Sequence, residues 1–318
     1  DSGEGVLTDF KEAVKWYRKA ADQGYAGAQF NLGLSYANGK GVPKDFKEAV
    51  KWYRKAADQG LAGAQFNLGL SYANREGAPK DFKEAVKWYR KSANQGEAKA
   101  QYNLGAMYAE GQGVPKDDKE AMKWFRKAAD QGKATAQLNL GGMYANGRGV
   151  PKDYKEAVKW FRKAADQGFA EAQYNLGVMY RQGLGVPKDD KEAVKWFRRA
   201  ADQGKATAQS LLGGMYAIGE YVLQDYKEAA KWFRKAADQG EAKAQFNLGV
   251  MYAMGRGVPK DYVTAFAWFS LSAFHGNEKG QEYKDKLAKE MTPEQIAEAQ
   301  KLSKELLKQI EENKKKAK

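Results

Sequence analysis

His275 is the chain's one histidine, and there is no cysteine. Disulfides, thiolate metal sites and a cysteine nucleophile are therefore excluded, and most histidine-based catalysis and zinc chemistry loses its usual residue. His275 stands where Gln239 stands one repeat earlier. It falls near the end of an amphipathic segment, a place that suggests a cation at a helix C-terminus. Carboxylates are plentiful but recur at fixed places, as Asp45 and Glu48 and then Asp81 and Glu84. That recurrence reads as helix caps and surface charge, and no pair is singled out for acid–base work. Loops such as "GKGVPKD" (39–45) contain Gly-x-Gly, but no strand precedes them, so they read as turns rather than phosphate cradles. Met107, Met143, Met179, Met215 and Met251 share one position and read as core packing. No catalytic residue, cofactor site or metal site is expected, and the chain is not read as an enzyme.

The elements behind these residues follow from a period. All 8 tryptophans, Trp16, Trp52, Trp88, Trp124, Trp160, Trp196, Trp232 and Trp268, stand 36 residues apart. A strict period of that length is the mark of a solenoid. Two helical patterns alternate within it. One, "DFKEAVKWYRKAADQ" (45–59), here called helix B, places Phe46, Ala49, Val50, Tyr53, Ala56 and Ala57 on one face. Lys47, Lys51, Arg54, Lys55 and Asp58 fall opposite. Asp45 with Glu48 forms a capping-box pattern, and Gly60 suits a left-handed C-terminal residue. The tryptophans lie at the edge of the apolar face, and partly buried packing is preferred there over an aromatic platform for single-stranded nucleic acid.

The other pattern, "AGAQFNLGLSYAN" (62–74), here called helix A, is apolar around most of its circumference and should be flanked on several sides. Its small residues Ala62, Ala64, Gly69 and Ala73 permit close helix approach. Pro43, Pro79, Pro115, Pro151, Pro187 and Pro259 end one helix and prepare the next cap.

The net charge is +14, but each helix B interleaves basic and acidic residues. A solvated face accounts for this better than a nucleic-acid groove, which would concentrate positive charge. Nucleic acid is therefore a minority reading, beside attraction to an acidic ligand. No apolar run reaches the length of a membrane span. The chain opens on Asp1 rather than Met, which suggests a fragment or processed form and leaves export undecided.

The recurring A-x-A-Q-x-N-L-G-x-x-Y-x-x-G-x-G-V-P-x-D, followed by A-x-x-W-[YF]-x-x-A-A-x-Q-G, resembles the Sel-one-like repeat (SLR) family, relatives of the tetratricopeptide repeats. The likeness runs over about residues 4–276, and "MTPEQIAEAQKLSKEL" (291–306) looks like the closing helix of many bacterial members. It implies an all-α, right-handed superhelical solenoid, with helix A lining the concave face and helix B on the convex side. It also implies a bacterial, non-enzymatic scaffold or adaptor that binds a protein or peptide, in the periplasm or outside the cell rather than in the cytoplasm. An immunity protein or inhibitor that neutralises a toxin enzyme, and a secreted host-interaction factor, are the alternatives. Disulfides carried by cysteine-rich members do not transfer. The expected organisation is an SLR solenoid over 1–276, with an unpaired helix at 9–23 and seven A–B units over 25–276. A degenerate helix at about 277–290 and a capping helix from Pro293 to about 312 complete 277–318, with "KKKAK" as a frayed basic end.

Repeats that disagree with one another suggest where a partner would be read. Helix B hardly varies; helix A varies at concave positions. The expected contact residues are Lys99 and Glu171 at one position and Phe66, Tyr102, Leu138, Tyr174 and Phe246 at the next. Leu70 and Val178 follow, then Asn74, Glu110, Asn146, Gln182, Ile218 and Met254. Arg181 stands where the other repeats have Ala. Tyr174, Arg181 and Gln182 are spaced to share a face. Residues 205–224 deviate most: Ser210 replaces an aromatic residue or Leu, Leu211 replaces Asn, and Tyr221 and Leu223 replace the loop Gly and Pro. Loss of Gly and Pro is expected to change that loop's path, and Ile218, Tyr221 and Leu223 to form an apolar docking spot.

Overall fold

The computed structural model describes residues 9–316, so residues 1–8 and the last two residues of "KKKAK" lie outside it. Seventeen helices and no strand occur among the described residues. The B helices are α1 (Phe10–Asp22), α3 (Phe46–Asp58), α5 (Phe82–Asn94), α7 (Asp118–Asp130), α9 (Tyr154–Asp166), α11 (Asp190–Asp202), α13 (Tyr226–Ala237) and α15 (Tyr262–Phe274). The A helices are α2 (Ala26–Asn38), α4 (Ala62–Asn74), α6 (Ala98–Glu110), α8 (Ala134–Asn146), α10 (Ala170–Gln182), α12 (Ala206–Ile218) and α14 (Ala242–Met254). Two further helices close the chain, α16 (Glu278–Ala288) and α17 (Pro293–Lys316). The chain divides into two compact units, 1–160 and 161–318, with the division inside α9. In the first, each helix from α1 to α8 packs on the next; in the second, α10 to α16 do the same and α17 returns onto α15. This is a solenoid of 36-residue helix pairs.

Each B helix starts on an aspartate. Asp45 accepts from the backbone N–H groups of Lys47 and Glu48 at 2.9 and 3.1 Å. The expected capping box is only half made. Glu48 turns outward to pair with Lys51, and the Asp45 N–H donates instead to the Tyr36 carbonyl at 2.9 Å. A complete box does form at α17, where Thr292 and Gln295 exchange bonds of 3.0 and 3.3 Å and Pro293 takes the first helical position.

The A–B seam depends on the "Leu-Gly" pair. Leu68 is fully buried, and a Cβ on Gly69 would lie 2.7 Å from the Tyr89 ring, so only glycine lets that ring seat. The Tyr53 and Tyr89 hydroxyls lie beside Asn67 and Asn103, and burial pushes both up to about 12. The tryptophans are more deeply placed than an edge position implied: Trp52 to Trp268 are buried, and Trp16 alone is exposed among the described residues. Each fully buried ring of this size contributes on the order of 2 kcal/mol.

Two polar ladders escape a reading of periodicity. Buried Gln29, Gln65 and Gln101 donate to the carbonyls of Ala21, Ala57 and Ala93, and each accepts from the glutamine 30 residues on: Gln59, Gln95 and Gln131. In the second unit Gln203 and Gln239 do the same for Gln173 and Gln209. His275 ends this second series, its Nδ1 lying 2.9 Å from Gln245 Oε1 and 3.0 Å from the Leu271 carbonyl. Burial, and secondly Lys314, push its pKa down. The expected cation at a helix end is therefore corrected to a neutral imidazole in a glutamine's place. The other ladder joins Arg54 to the Tyr72 hydroxyl and Arg90 to Tyr108, and in the second unit Arg162 to Tyr180 and Arg234 to Tyr252. Arg54 is thus half-buried, not on the solvated face to which periodicity assigned it.

Met107, Met143, Met179, Met215 and Met251 are all buried core residues. The final helix reaches Lys316, past the expected end near 312 and through most of the presumed frayed tail.

Candidate partner-binding surface

The A helices present their variable positions outward, but not equally. The Phe66 ring lies 5.9 Å from Tyr89, Tyr102 lies 5.6 Å from Phe125, and Tyr174 and Phe246 each lie 5.7 Å from Phe197 and Phe269. Part of each ring therefore belongs to the core, and only the remainder faces out. Leu70, Leu138 and Val178 are likewise half-buried. Asn74, Lys99, Glu110, Asn146, Glu171 and Gln182 are exposed, and Ile218 and Met254 are exposed apolar residues.

In the second unit, three of these residues come together. Tyr174, Arg181 and Ile218 line one open hollow of about 570 Å³ among α10, α12 and α14. Thr207, Ser210, Leu211, Gly214 and Val250 share its lining with Phe233, Lys243, Asn247 and Arg256. Gln182, although spaced to share a face with Tyr174 and Arg181, is not part of the lining. Phe246 instead borders a second open hollow with Lys243, Asn277 and Lys279. Asn247 and Arg256 were missed from sequence, whereas Lys243 stands at the variable position shared by Lys99 and Glu171. Asn247 is the asparagine common to most A helices and Arg256 a residue of the loop after α14, so neither stood out in the sequence.

Tyr221 and Leu223 are not in the hollow's lining, and both, like Ile218, are exposed. Leu223 is 90 % exposed, while Tyr221 lies near Lys188, whose ammonium is 6.0 Å from the ring. The loop also keeps its path, contrary to expectation. Tyr221 takes φ 63°, beside 73° and 72° for Gly185 and Gly257, and the Asp225 N–H still donates to Tyr216 at 3.0 Å. A tyrosine is held in the left-handed conformation normally left to glycine, a strained state.

The B-helix face offers less. Lys51, Lys87, Lys123, Lys195 and Lys231 each pair with the glutamate three residues earlier. Lys55, Lys91 and Lys235 lie 4.2, 4.3 and 4.0 Å from the centres of the Trp52, Trp88 and Trp232 rings. These rings are buried under cations and cannot serve as a stacking platform. Among the described residues no cluster of metal-ligating side chains occurs, and no helix is long and apolar enough to cross a membrane.

Helix pairs in tandem with a variable outer row on helix A define an α-solenoid of the protein-binding kind. The Sel1 repeat model matches eight consecutive segments over residues 1–277, and the chain belongs to the Sel1 repeat family. A Sel1 repeat protein from Oxalobacter formigenes is 39 % identical over 90 % of this chain and 83 % of its own, with a TM-score of 0.75. A protective antigen of uropathogenic Escherichia coli strains, displaying an SLR fold, is 34 % identical over 97 % of this chain and 82 % of its own, with a TM-score of 0.49. An immunity protein from Pseudomonas aeruginosa is 23 % identical over 68 % of this chain and 83 % of its own, with a TM-score of 0.42. No curated protein matches the sequence. Sel1 repeat proteins are generally protein-interaction scaffolds, and the fold is typically non-catalytic.

Proposed function

We propose that this chain is a non-enzymatic scaffold or adaptor that holds a protein or peptide against the outer row of its A helices. The observation that supports this reading is the contrast between the two helix types. From α1 to α13 the B helices repeat nearly the same residues, as in "FKEAVKWYRKAAD" of α3 and "YKEAVKWFRKAAD" of α9. A helices differ at outward positions, as Asn74, Glu110, Gln182, Ile218 and Met254 at one site. A face that only needs solvation can repeat; a face that recognises one partner has to differ along its length.

Capture from the source cell with mass spectrometry, followed by affinity measurement, tests it. Tyr174→Ala and Arg181→Ala should each weaken the captured partner by about 2 kcal/mol, as aromatic and arginine hot spots do, without changing the circular dichroism spectrum. Lys51→Glu with Lys87→Glu on B helices should leave affinity nearly unchanged. The reverse pattern moves the site to the B-helix face. Scaffold, inhibitor of a toxin enzyme and host-directed factor are three uses of one surface, and the partner's identity separates them.

A further inference from the structure

We infer that the hollow among α10, α12 and α14 receives one large apolar side chain from a partner segment that carries carboxylates on either side of it. The inference rests on the A-helix reading above and names the partner's chemistry at one point on that face.

The hollow is made by subtraction. At the place of Ser210, the other A helices carry Phe30, Phe66, Tyr102, Leu138, Tyr174 and Phe246. In α4, α6, α10 and α14 that residue's ring covers an aromatic ring of the following B helix. Ser210 cannot do so, and the Phe233 ring of α13 forms part of the hollow's wall. Four residues on, and so on the same face, stands Gly214, where a Cβ would meet nothing within 4 Å. Two side chains that the repeat usually supplies are missing side by side. The space, about 570 Å³, falls within the roughly 300–1,000 Å³ of binding clefts. Ile218, 67 % exposed, stands on its rim with no core role.

Charge selects the flanking residues. Five charged side chains reach the hollow: Arg181, Lys243, Arg256, Glu220 and Glu241. The Glu241 carboxylate is already used, accepting from the Ala244 N–H at the start of its own helix. Glu220 is the other carboxylate in the lining. Arg256 lies 5.5 Å from the centre of the Tyr226 ring. Arg181 and Lys243 form no ion pair among the described residues. One of the two carboxylates at this apolar hollow is thus engaged, while Arg181 and Lys243 remain for a ligand, which is complementary to an acidic–apolar–acidic segment.

A displayed library of random 12-residue peptides, selected on the full chain, is the probe. Selected peptides should share a large apolar residue flanked by Asp or Glu. Ser210→Tyr with Gly214→Val restores residue types that other repeats carry at these places. It should keep the fold by circular dichroism and weaken the best peptide at least 30-fold. Arg181→Glu with Lys243→Glu, made separately, should weaken it at least tenfold and flatten its salt dependence. Enriched basic peptides, no enrichment, or affinity unmoved by both variants overturns the inference. If peptides instead lose affinity on Tyr102→Ala with Glu110→Ala, the hollow is discarded while the A-helix reading survives. If only Lys51→Glu with Lys87→Glu removes binding, both fall.

Discussion

Trp16 and Trp268 occupy the same place in the repeat at opposite ends of the series, yet Trp16 is 60 % exposed and Trp268 is fully buried. The residue is the same; its neighbours are not. Trp52 is covered by Val14, Ala21 and Leu32 of the two helices before it. Trp268 has the equivalent cover from α13 and α14, and Ile310 of α17 joins the same cluster. Among the described residues no helix precedes α1, and Phe10 and Tyr25 are exposed as Trp16 is. A repeat therefore has no finished core of its own; burial is a property of adjacency.

The largest effect should come from making the second end resemble the first. Removing residues 291–318 takes away Ile310 and Ala299, both buried, and with them the partly buried Ile296, Leu306 and Leu307. At about 1.5–3 kcal/mol per large buried apolar side chain, the loss is roughly 5 kcal/mol or more. Melting and light scattering should show a lower transition and self-association. A monomeric truncation with unchanged melting would break the comparison.

The next contrast is between the two tryptophans themselves. Trp268→Ala should cost about 3–5 kcal/mol in denaturant unfolding, as for other buried aromatic truncations. Trp16→Ala should stay within about 0.5 kcal/mol, since the ring is largely exposed and Lys19 lies 4.4 Å from its centre. Equal losses at both sites would mean that Trp16 is covered in solution by something outside the described residues.

An interior change should have a smaller effect. Tyr221→Gly relieves the left-handed strain at φ 63° and should add about 1 kcal/mol. Hydrogen exchange should slow in α12 and α13 while α1, open at its outer face, stays as it was. Faster exchange in α12 would show that the tyrosine ring contributes more packing than its backbone costs.

The smallest effect is a pH dependence confined to the closed end. His275 titrates below its ordinary value near 6.5, so the unfolded chain takes up a proton before the folded one. Stability from this residue is complete above pH 6.5 and declines as pH falls from there toward the folded pKa, because more protons are bound in the unfolded state over that window. His275→Gln, the residue used at Gln239, should remove that slope in urea titrations below about pH 6.5. An unchanged slope would assign it to other groups.

Much of this fold was legible because each repeat states the same pattern. The tryptophan spacing, Asp45 as cap and Gly60 as left-handed terminus all follow from local chemistry. The side-chain ladders were not legible, since Gln29 meets Gln59 from 30 residues away and neither belongs to an apolar stripe. Arg54 was misplaced for a related reason: periodicity assigns a face, while its guanidinium reaches back to Tyr72 on another helix. At the surface, Tyr174 and Arg181 could be placed on one face, but the hollow beside them arises from what Ser210 and Gly214 lack. A missing side chain has no periodicity to detect. Tyr221 shows the opposite limit, since conformational preference predicted a new loop and the contacts on either side imposed the old one.

The glutamine ladder has a consequence for how the chain finds its register. Gln59 accepted by Gln29 and Gln95 accepted by Gln65 are chemically the same joint. A joint that is identical at successive places carries no address, so a B helix that docked one repeat out of step would meet a matching partner and leave a repeat looped out. Helices that break the pattern are the ones that can be told apart. Serine, leucine and glycine at 210, 211 and 214 in α12, and the histidine that ends the second series, give the chain landmarks by which its otherwise interchangeable units can be counted.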